Sequence, residues 1–153
     1  MNRRTTLNRL AVVLGLATVL NLQGCATPKG AAFTSPAATE QGKANVYLYR
    51  QSKLNSSGES FTVQLNVQPS EALANASFIL MKVPKGEHLL KVKAGGFGKT
   101  YEHRWTAETG KTYYLEFVLP MLLLGNPFNL GSDLVVREET IARQDMQALK
   151  AMK

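Results

Sequence analysis

Short stretches in which apolar and polar residues alternate, with turn-forming residues between them, constrain the fold of this chain most strongly. The clearest stretch is 60–68, whose alternating apolar residues are Phe61, Val63, Leu65 and Val67. Alternation with a period of two puts one set of side chains on one face, so this stretch predicts a half-buried strand. The stretches 87–94 and 112–119 repeat the pattern.

Strand-like stretches follow one another at close spacing through most of the chain. They are 44–50, 60–68, 78–83, 87–94, 101–106, 112–119 and 134–137. Close spacing with turn signals favours a β-sandwich or a small barrel. Of the two, we predict a mainly β fold, a small antiparallel β-sandwich of about seven strands. The tripeptide Pro84-Lys85-Gly86 predicts a tight hairpin turn between two of them.

A single amphipathic helix is predicted at the C-terminal end, over 139–152. The apolar residues on one side of its helical wheel are Ile141, Ala142, Met146, Ala148, Leu149 and Met152. The polar residues on the other side are Arg143, Gln144, Gln147 and Lys150. This pattern is typical of a helix that packs on a globular body.

The N-terminal region has the three parts of a secretory signal. Arg3, Arg4 and Arg9 form a basic leader, an apolar run covers 10–20, and the small residue Gly24 follows directly before Cys25. The run is eleven residues long, whereas a membrane-spanning helix needs about 20. We therefore predict a signal peptide over 1–24. The alternative is an N-terminal membrane helix with an incidental cysteine.

The four residues Leu22-Gln23-Gly24-Cys25 resemble the lipobox of bacterial lipoproteins. The resemblance implies cleavage between Gly24 and Cys25 and a covalent lipid on Cys25, diacylglycerol on the sulfur and an acyl chain such as palmitate on the new amino group. No other cofactor is expected. The lipoprotein pattern reserves Asp after the cysteine for inner-membrane retention, and Ala26 stands there. The resemblance thus implies a lipid anchor in the bacterial outer membrane, with the domain on the periplasmic face.

Three regions follow from these patterns: the signal peptide 1–24, a lipidated flexible tether 25–43 and a β-sandwich domain with the helix, 44–153. The tether prediction rests on composition, because 26–43 is rich in Ala, Thr, Ser, Pro and Gly and has little to bury. The 129 residues left after cleavage suffice for one ordinary domain.

Charge and cysteine content exclude several classes of function. Cleavage removes three of the eighteen Lys and Arg and no acid, so the formal net charge falls from +7 to +4 (15 minus 11). No cluster of basic and aromatic residues points to a nucleic-acid partner. Mild basicity suits anionic lipid head groups or peptidoglycan carboxylates, or serves solubility alone. With Cys25 acylated no thiol is left for a disulfide. Two histidines fifteen residues apart predict no Cys/His metal site, and no motif points to a mixed site of histidine and carboxylate.

Catalysis is not expected from these residues. His88 and His103 each fall on the apolar face of a predicted strand, where a histidine at the edge of the core or stacked on an aromatic ring is the ordinary explanation. The chain shows no recognisable nucleophile, metal or paired-acid motif beside them. We therefore predict that the protein is not an enzyme.

Two stretches are candidate binding surfaces. The apolar segment 119–128 contains two prolines and a glycine, and it is either a core strand followed by a loop over the sandwich edge or an exposed apolar patch. In the second case the residues that contact a partner or the membrane are Met121, Leu122, Leu123, Leu124 and Phe128. An aromatic surface for sugar or peptide is the other candidate, formed by Tyr101, Trp105, Tyr113 and Tyr114.

Three motifs in a fixed order carry a family resemblance. They are 44–50 (ANVYLYR), 83–88 (VPKGEH) and 107–114 (AETGKTYY), followed by a charged helical tail. The set resembles the bacterial lipoprotein family known as domain of unknown function 2846, which is similar to PEGA-type β-sandwich modules. The resemblance implies a small β-sandwich without catalytic residues.

These inferences together predict a membrane-anchored periplasmic lipoprotein that acts as a non-catalytic binding or structural accessory module of the bacterial envelope. Its expected partners are the membrane, through the anchor, and an unidentified envelope protein. One alternative is a small lipoprotein subunit of an envelope-spanning secretion machine. The other is a degenerate enzyme or a carrier of a small ligand.

Overall fold

The computed structural model describes residues 26–54, 57–94, 99–119 and 132–153. The elements within these residues are β1 (Lys43–Arg50), β2 (Phe61–Leu65), β3 (Glu71–Leu73), β4 (Ser77–Pro84), β5 (Gly86–Ala94), β6 (Thr100–Ala107), β7 (Thr112–Val118), β8 (Asp133–Arg137), α1 (Glu139–Met146) and β9 (Lys150–Ala151).

The strands form two sheets. Sheet A has the order β8-β7-β1-β4-β9, and sheet B has the order β3-β2-β5-β6. Pairing is antiparallel except between β1 and β7 and between β4 and β9. The prediction of a mainly β, sandwich-like fold with a C-terminal helix is confirmed. Strands β3 and β9 were not predicted, because three and two residues are too short to show an alternation.

The main core lies between the two sheets. The inner face of β1 contributes Ala44, Val46 and Leu48, which are fully buried. The ring of Phe61 on sheet B packs edge-on against Phe117 on sheet A, with centroids 4.7 Å apart. Predicted inward positions are confirmed for most of 60–68. Val67 is the exception, 95% exposed, because β2 ends at Leu65 and the chain turns there.

A second, smaller core covers the outer face of sheet A. Tyr47 and Tyr49 on β1, with Tyr114 on β7, point away from sheet B and are buried. Ala142 and Met146 of α1 pack on them. Strand β1 is therefore buried on both faces, which is why its sequence is nearly continuously apolar and aromatic.

Part of the segment predicted as a flexible tether, 25–43, is docked on this second core. Phe33 is buried between Tyr47 and Phe78, in edge-to-face contact with each ring at 5.8 Å. The Ala37 N–H donates to the Tyr47 hydroxyl at 2.8 Å. A single aromatic residue thus fixes a stretch whose composition otherwise favours disorder, and the tether prediction does not hold for residues 30–43.

The Pro84-Lys85-Gly86 turn is tight, but it is not a hairpin. Strand β4 before it belongs to sheet A and pairs with β1 and β9, while β5 after it belongs to sheet B. The turn therefore carries the chain from one sheet to the other. Gly86 has a φ of 135°, a backbone conformation that residues with a Cβ rarely adopt.

The C-terminal helix is shorter than predicted. It ends at Met146 rather than Met152, and the backbone then turns, with Leu149 N–H donating to Met146 O at 2.9 Å. The remaining residues form β9, which pairs in parallel with the start of β4. Pairing with an open sheet edge supplies the backbone hydrogen bonds that further helical turns would have made.

Candidate functional site

The start of β5 and the end of β6, with the turn after β2, form the most polar cluster on sheet B. Asn66 bonds the turn to β5, which pairs with β6. Its φ of 54° lies in the left-handed region, which Asn tolerates better than most residues. Its backbone N–H donates to Leu89 O at 2.8 Å, and its side-chain Oδ1 accepts from Leu89 N–H at 2.9 Å.

His88 lies inward beside Asn66 and is buried. Its Nε2 is 2.9 Å from the Pro84 carbonyl oxygen, which can only accept, so Nε2 carries a proton. Because the Asn66 Oδ1 already faces Leu89 N–H, its Nδ2 donates to His88 Nδ1 at 3.0 Å. Both ring nitrogens are therefore engaged in contacts that hold the turn and the strand together.

Trp105 lies between the two histidines. Its ring centroid is 5.4 Å from that of His88 and 5.8 Å from that of His103, which it stacks on at 23°. This confirms the expectation of aromatic-stacked histidines at the edge of the core. The indole N–H is buried and has no acceptor among the described residues. An unpaired buried donor costs about 1–3 kcal/mol, which an acceptor from a ligand would relieve.

Burial lowers the pKa of His103 below its ordinary 6.5, and the nearby Asp133 carboxylate opposes this in part. Asp133 begins β8 of sheet A, so this interaction spans the edge where β6 and β8 approach. The histidine is neutral at neutral pH.

An open depression of about 450 Å³ lies over this cluster. Its lining residues are Asn66, Glu87, His88, Leu89, Arg104, Trp105 and Thr106. Arg104 is largely exposed, with Glu102 at 3.8 Å. The lining thus includes one cation, Arg104, and one carboxylate, Glu87. Because the depression is open, it suits weak binding of a peptide or a sugar better than enclosure of a small molecule.

A second polar cluster is buried where α1 covers sheet A. Glu116 accepts from Arg137 Nε and Nη2, each at 2.7 Å, and from Gln51 Nε2 at 3.0 Å. The Tyr49 hydroxyl donates to Asp145 of α1 at 2.8 Å. Burial raises the pKa of Tyr49, and the Asp145 and Glu116 carboxylates add to the shift. The bond to Glu116 raises the pKa of Arg137. This cluster fastens the helix.

Arg50 is an uncommon buried cation at the end of the sandwich, 1% exposed. Its Nη1 donates to Glu59 O at 2.7 Å, and the guanidinium carbon lies 4.9 Å from the centre of the Phe61 ring. Burial lowers its pKa to about 10, against the nearby Glu59 carboxylate, which raises it. These contacts tie the segment before β2 to the end of β1.

Several residues singled out from the sequence lie outside the part of the chain that the structure describes. Gly24 and Cys25 lie outside the described residues, as does the whole predicted contact set. That set is Met121, Leu122, Leu123, Leu124 and Phe128.

The proposed aromatic surface of four residues does not form. Tyr101 is buried between the sheets and Tyr114 beneath α1. Tyr113 and Trp105 are partly buried against the main core. Tyr113 and Tyr114 are neighbours on one strand, so their side chains point to opposite faces of the sheet and cannot share one surface.

Sequence reasoning missed Asn66, Arg104 and the buried Arg50. Asn66 lay inside a stretch assigned to a strand, and an Asn that begins a turn was the available signal. Arg50 carried no signal, because a charged residue at the end of a strand is ordinarily exposed.

In the described ranges, no group of three or more His, Cys, Asp or Glu side chains could hold a metal ion. Those ranges also contain no helix that is long and apolar enough to cross a membrane.

No protein-family model, curated protein or solved structure matches this chain. The resemblance to the family of domain of unknown function 2846 and to PEGA-type modules therefore stays a prediction.

Proposed function

We propose that this protein is a lipid-anchored envelope lipoprotein whose β-sandwich serves as a non-catalytic binding or structural accessory module. The observation that carries the proposal is the sequence Leu22-Gln23-Gly24-Cys25 directly behind the apolar run 10–20. The location that follows is the periplasmic face of the outer membrane. The lipid on Cys25 is the anchor.

The geometry of the sandwich is consistent with a non-catalytic role. His88, the buried histidine in the wall of the depression, uses both ring nitrogens for Asn66 and Pro84. A general base needs one nitrogen within reach of a substrate proton. The depression itself is open, whereas small-molecule sites usually enclose most of their ligand.

A lipid anchor would allow a surface of low affinity to bind its partner. A single acyl chain holds a protein only marginally, and two or more give stable attachment. Confinement to a membrane raises the effective concentration of the domain for its neighbours, so a shallow contact with a partner in the same membrane suffices. A subunit of an envelope-spanning secretion machine is a special case of this proposal.

The partner contact is proposed to involve the segment that contains Met121, Leu122, Leu123, Leu124 and Phe128. In the sequence it lies between Val118, which ends β7, and Asp133, which begins β8. These two described residues are paired with each other, on the side of the sheet where β1 ends. The described sandwich presents few large apolar side chains, Leu54, Val67, Val136 and Ile141, and these are scattered over different elements. The apolar segment 119–128 is therefore the strongest candidate for the partner contact.

A photocrosslinking amino acid at Leu122 or Phe128 of the full chain in cells tests this contact. The matched control carries the same amino acid at Lys91 on the outer face of sheet B. We expect one protein partner from Leu122 or Phe128 and none from Lys91. The same adducts from both positions, or none from either, would contradict the partner contact. A trapped subunit of a secretion machine would select that alternative.

A further inference from the structure

The N-terminal segment is paired with the C-terminal strand at one edge of sheet A. Gly30 N–H donates to Ala151 O at 2.9 Å, and Ala151 N–H donates in turn to Ala31 O at 2.9 Å. Phe33 N–H donates to Leu149 O at 3.1 Å. Strand β9 is therefore held on one side by β4 and on the other by residues 30–33.

Gly30 makes this pairing possible by close approach. A Cβ built on Gly30 would lie 2.6 Å from the Ala151 Cβ and in collision with the Lys153 carbonyl oxygen. Contacts this short do not occur between real atoms, and a backbone carbonyl cannot move aside cheaply. The packing of Phe33 against Tyr47 and Phe78 then fixes the segment from its other side.

Docking leaves little chain between the proposed anchor and the sandwich. Five residue steps separate Cys25 from Gly30, and an extended chain covers at most about 3.5 Å per step, or roughly 17 Å in all. The head-group region on one side of a bilayer is about 5–8 Å thick, so the chain can lift Gly30 by no more than roughly 10 Å beyond it. The β9 edge of sheet A is therefore the part of the domain nearest the membrane.

The side chains at this edge carry positive charge. Lys29, Lys150 and Lys153 are all exposed. Lys153 pairs with Glu71 at 3.1 Å, and among the described residues neither Lys29 nor Lys150 has an acidic partner. Three cations against one carboxylate complement a surface of anionic head groups.

We propose that the β9 edge, with Lys29, Lys150 and Lys153, binds the anionic phospholipid head groups of the membrane that holds Cys25. The domain then lies against the bilayer in one orientation instead of moving at the end of a long tether. The depression over Asn66 and Trp105, on sheet B, faces away from the anchored edge. This inference rests on the proposed lipidation of Cys25.

The test uses the full chain, purified from membranes and reconstituted into phosphatidylcholine vesicles with or without phosphatidylglycerol. Acylation of Cys25, the only cysteine, leaves an introduced thiol as the only reactive one. A fluorophore is attached to Gln147→Cys, three residues before Lys150, or to the control Thr106→Cys on sheet B. Lipids with a nitroxide head group then quench a fluorophore that lies at the surface.

We expect several-fold stronger quenching at position 147 than at 106, and only with phosphatidylglycerol present. Replacing Lys29, Lys150 and Lys153 with Gln lowers the ratio of apposed to lifted molecules on the order of a hundredfold, because each lysine near an anionic surface contributes about fivefold. The control set Lys85, Lys93 and Lys111→Gln has the same net charge and leaves quenching unchanged.

A second variant, Gly30→Val, separates docking from charge. The added side chain displaces the N-terminal segment, lengthens the free chain and reduces quenching at position 147, while a thermal melt checks that the sandwich remains folded. Equal quenching at 147 and 106 in acylated protein would overturn the inference. Absence of the acyl group in the same preparation, measured by mass, would instead overturn the proposed function.

Discussion

Two tyrosines on the outer face of sheet A differ in their hydroxyl partners, and this difference can be measured. Tyr49 donates to Asp145 at 2.8 Å, while the Tyr114 hydroxyl is buried without a partner among the described residues. A hydrogen bond to a charged group contributes about 1.5–3 kcal/mol. We expect Tyr49→Phe to lower the free energy of unfolding by about 2 kcal/mol, and Tyr114→Phe to leave it unchanged or raise it. If both variants lost the same free energy of unfolding in urea denaturation, the hydrogen bond from Tyr49 to Asp145 would not be what holds α1 on sheet A.

His103 makes the stability of the sandwich depend on pH. Because its folded pKa is lowered from 6.5, the unfolded state binds the proton more tightly and protonation favours unfolding. Stability is therefore full above pH 6.5 and falls as the pH drops below it through the folded pKa. We expect His103→Gln to make the loss smaller in denaturant unfolding measured across this range. If NMR showed that the His103 ring titrates at or above pH 6.5 in the folded protein, this predicted loss of stability at low pH would be contradicted.

At the scale of elements, the docked N-terminal segment gives the sharpest prediction. Phe33→Ala removes a ring that packs on Tyr47 and Phe78, and such truncations cost about 3 kcal/mol or more. The conservative variant Phe33→Leu should cost less than half as much. Unchanged stability in Phe33→Ala would mean that 30–43 behaves as the free tether that its composition predicts.

Strands were predictable where one face is buried and the other exposed, since alternation reports that condition directly. This identified β2 and β5. Strand β7 was identified by its apolar alternation too, although Tyr114 and Glu116 on its other face are also buried. The pattern does not report which sheet a strand joins, so the turn at Pro84–Gly86 was taken for a hairpin. Pairing partners are distant in sequence, and β9 forms by pairing with β4 on one side and with residues 30–33 on the other.

Less of the candidate site could be predicted than of the fold. The stacked positions of His88 and His103 followed from alternation, because both share a face with buried neighbours. The contacts of Asn66 depend on a left-handed backbone and on three hydrogen bonds to His88 and Leu89 of β5. Neither composition nor periodicity carries that information.

At the scale of the whole molecule, the docked N-terminal segment joins the proposed anchor site directly to the sandwich. Cys25 is five residues from Gly30, which is bonded to the C-terminal strand, which pairs with β4 at the edge of the sandwich. In the proposed arrangement the domain is held against a membrane, with sheet B and the end of β7 free to meet a partner. This arrangement depends on the lipid proposed for Cys25.

The most direct measurement is the intact mass and N-terminal fragment mass of the mature protein extracted from membranes. We expect a chain that begins at Cys25 and carries a diacylglycerol and an amide-linked acyl chain. Cys25→Ser should leave the precursor uncleaved and without acyl label. A mature chain that begins at another residue, or an unmodified Cys25, would contradict the proposed lipidation of Cys25.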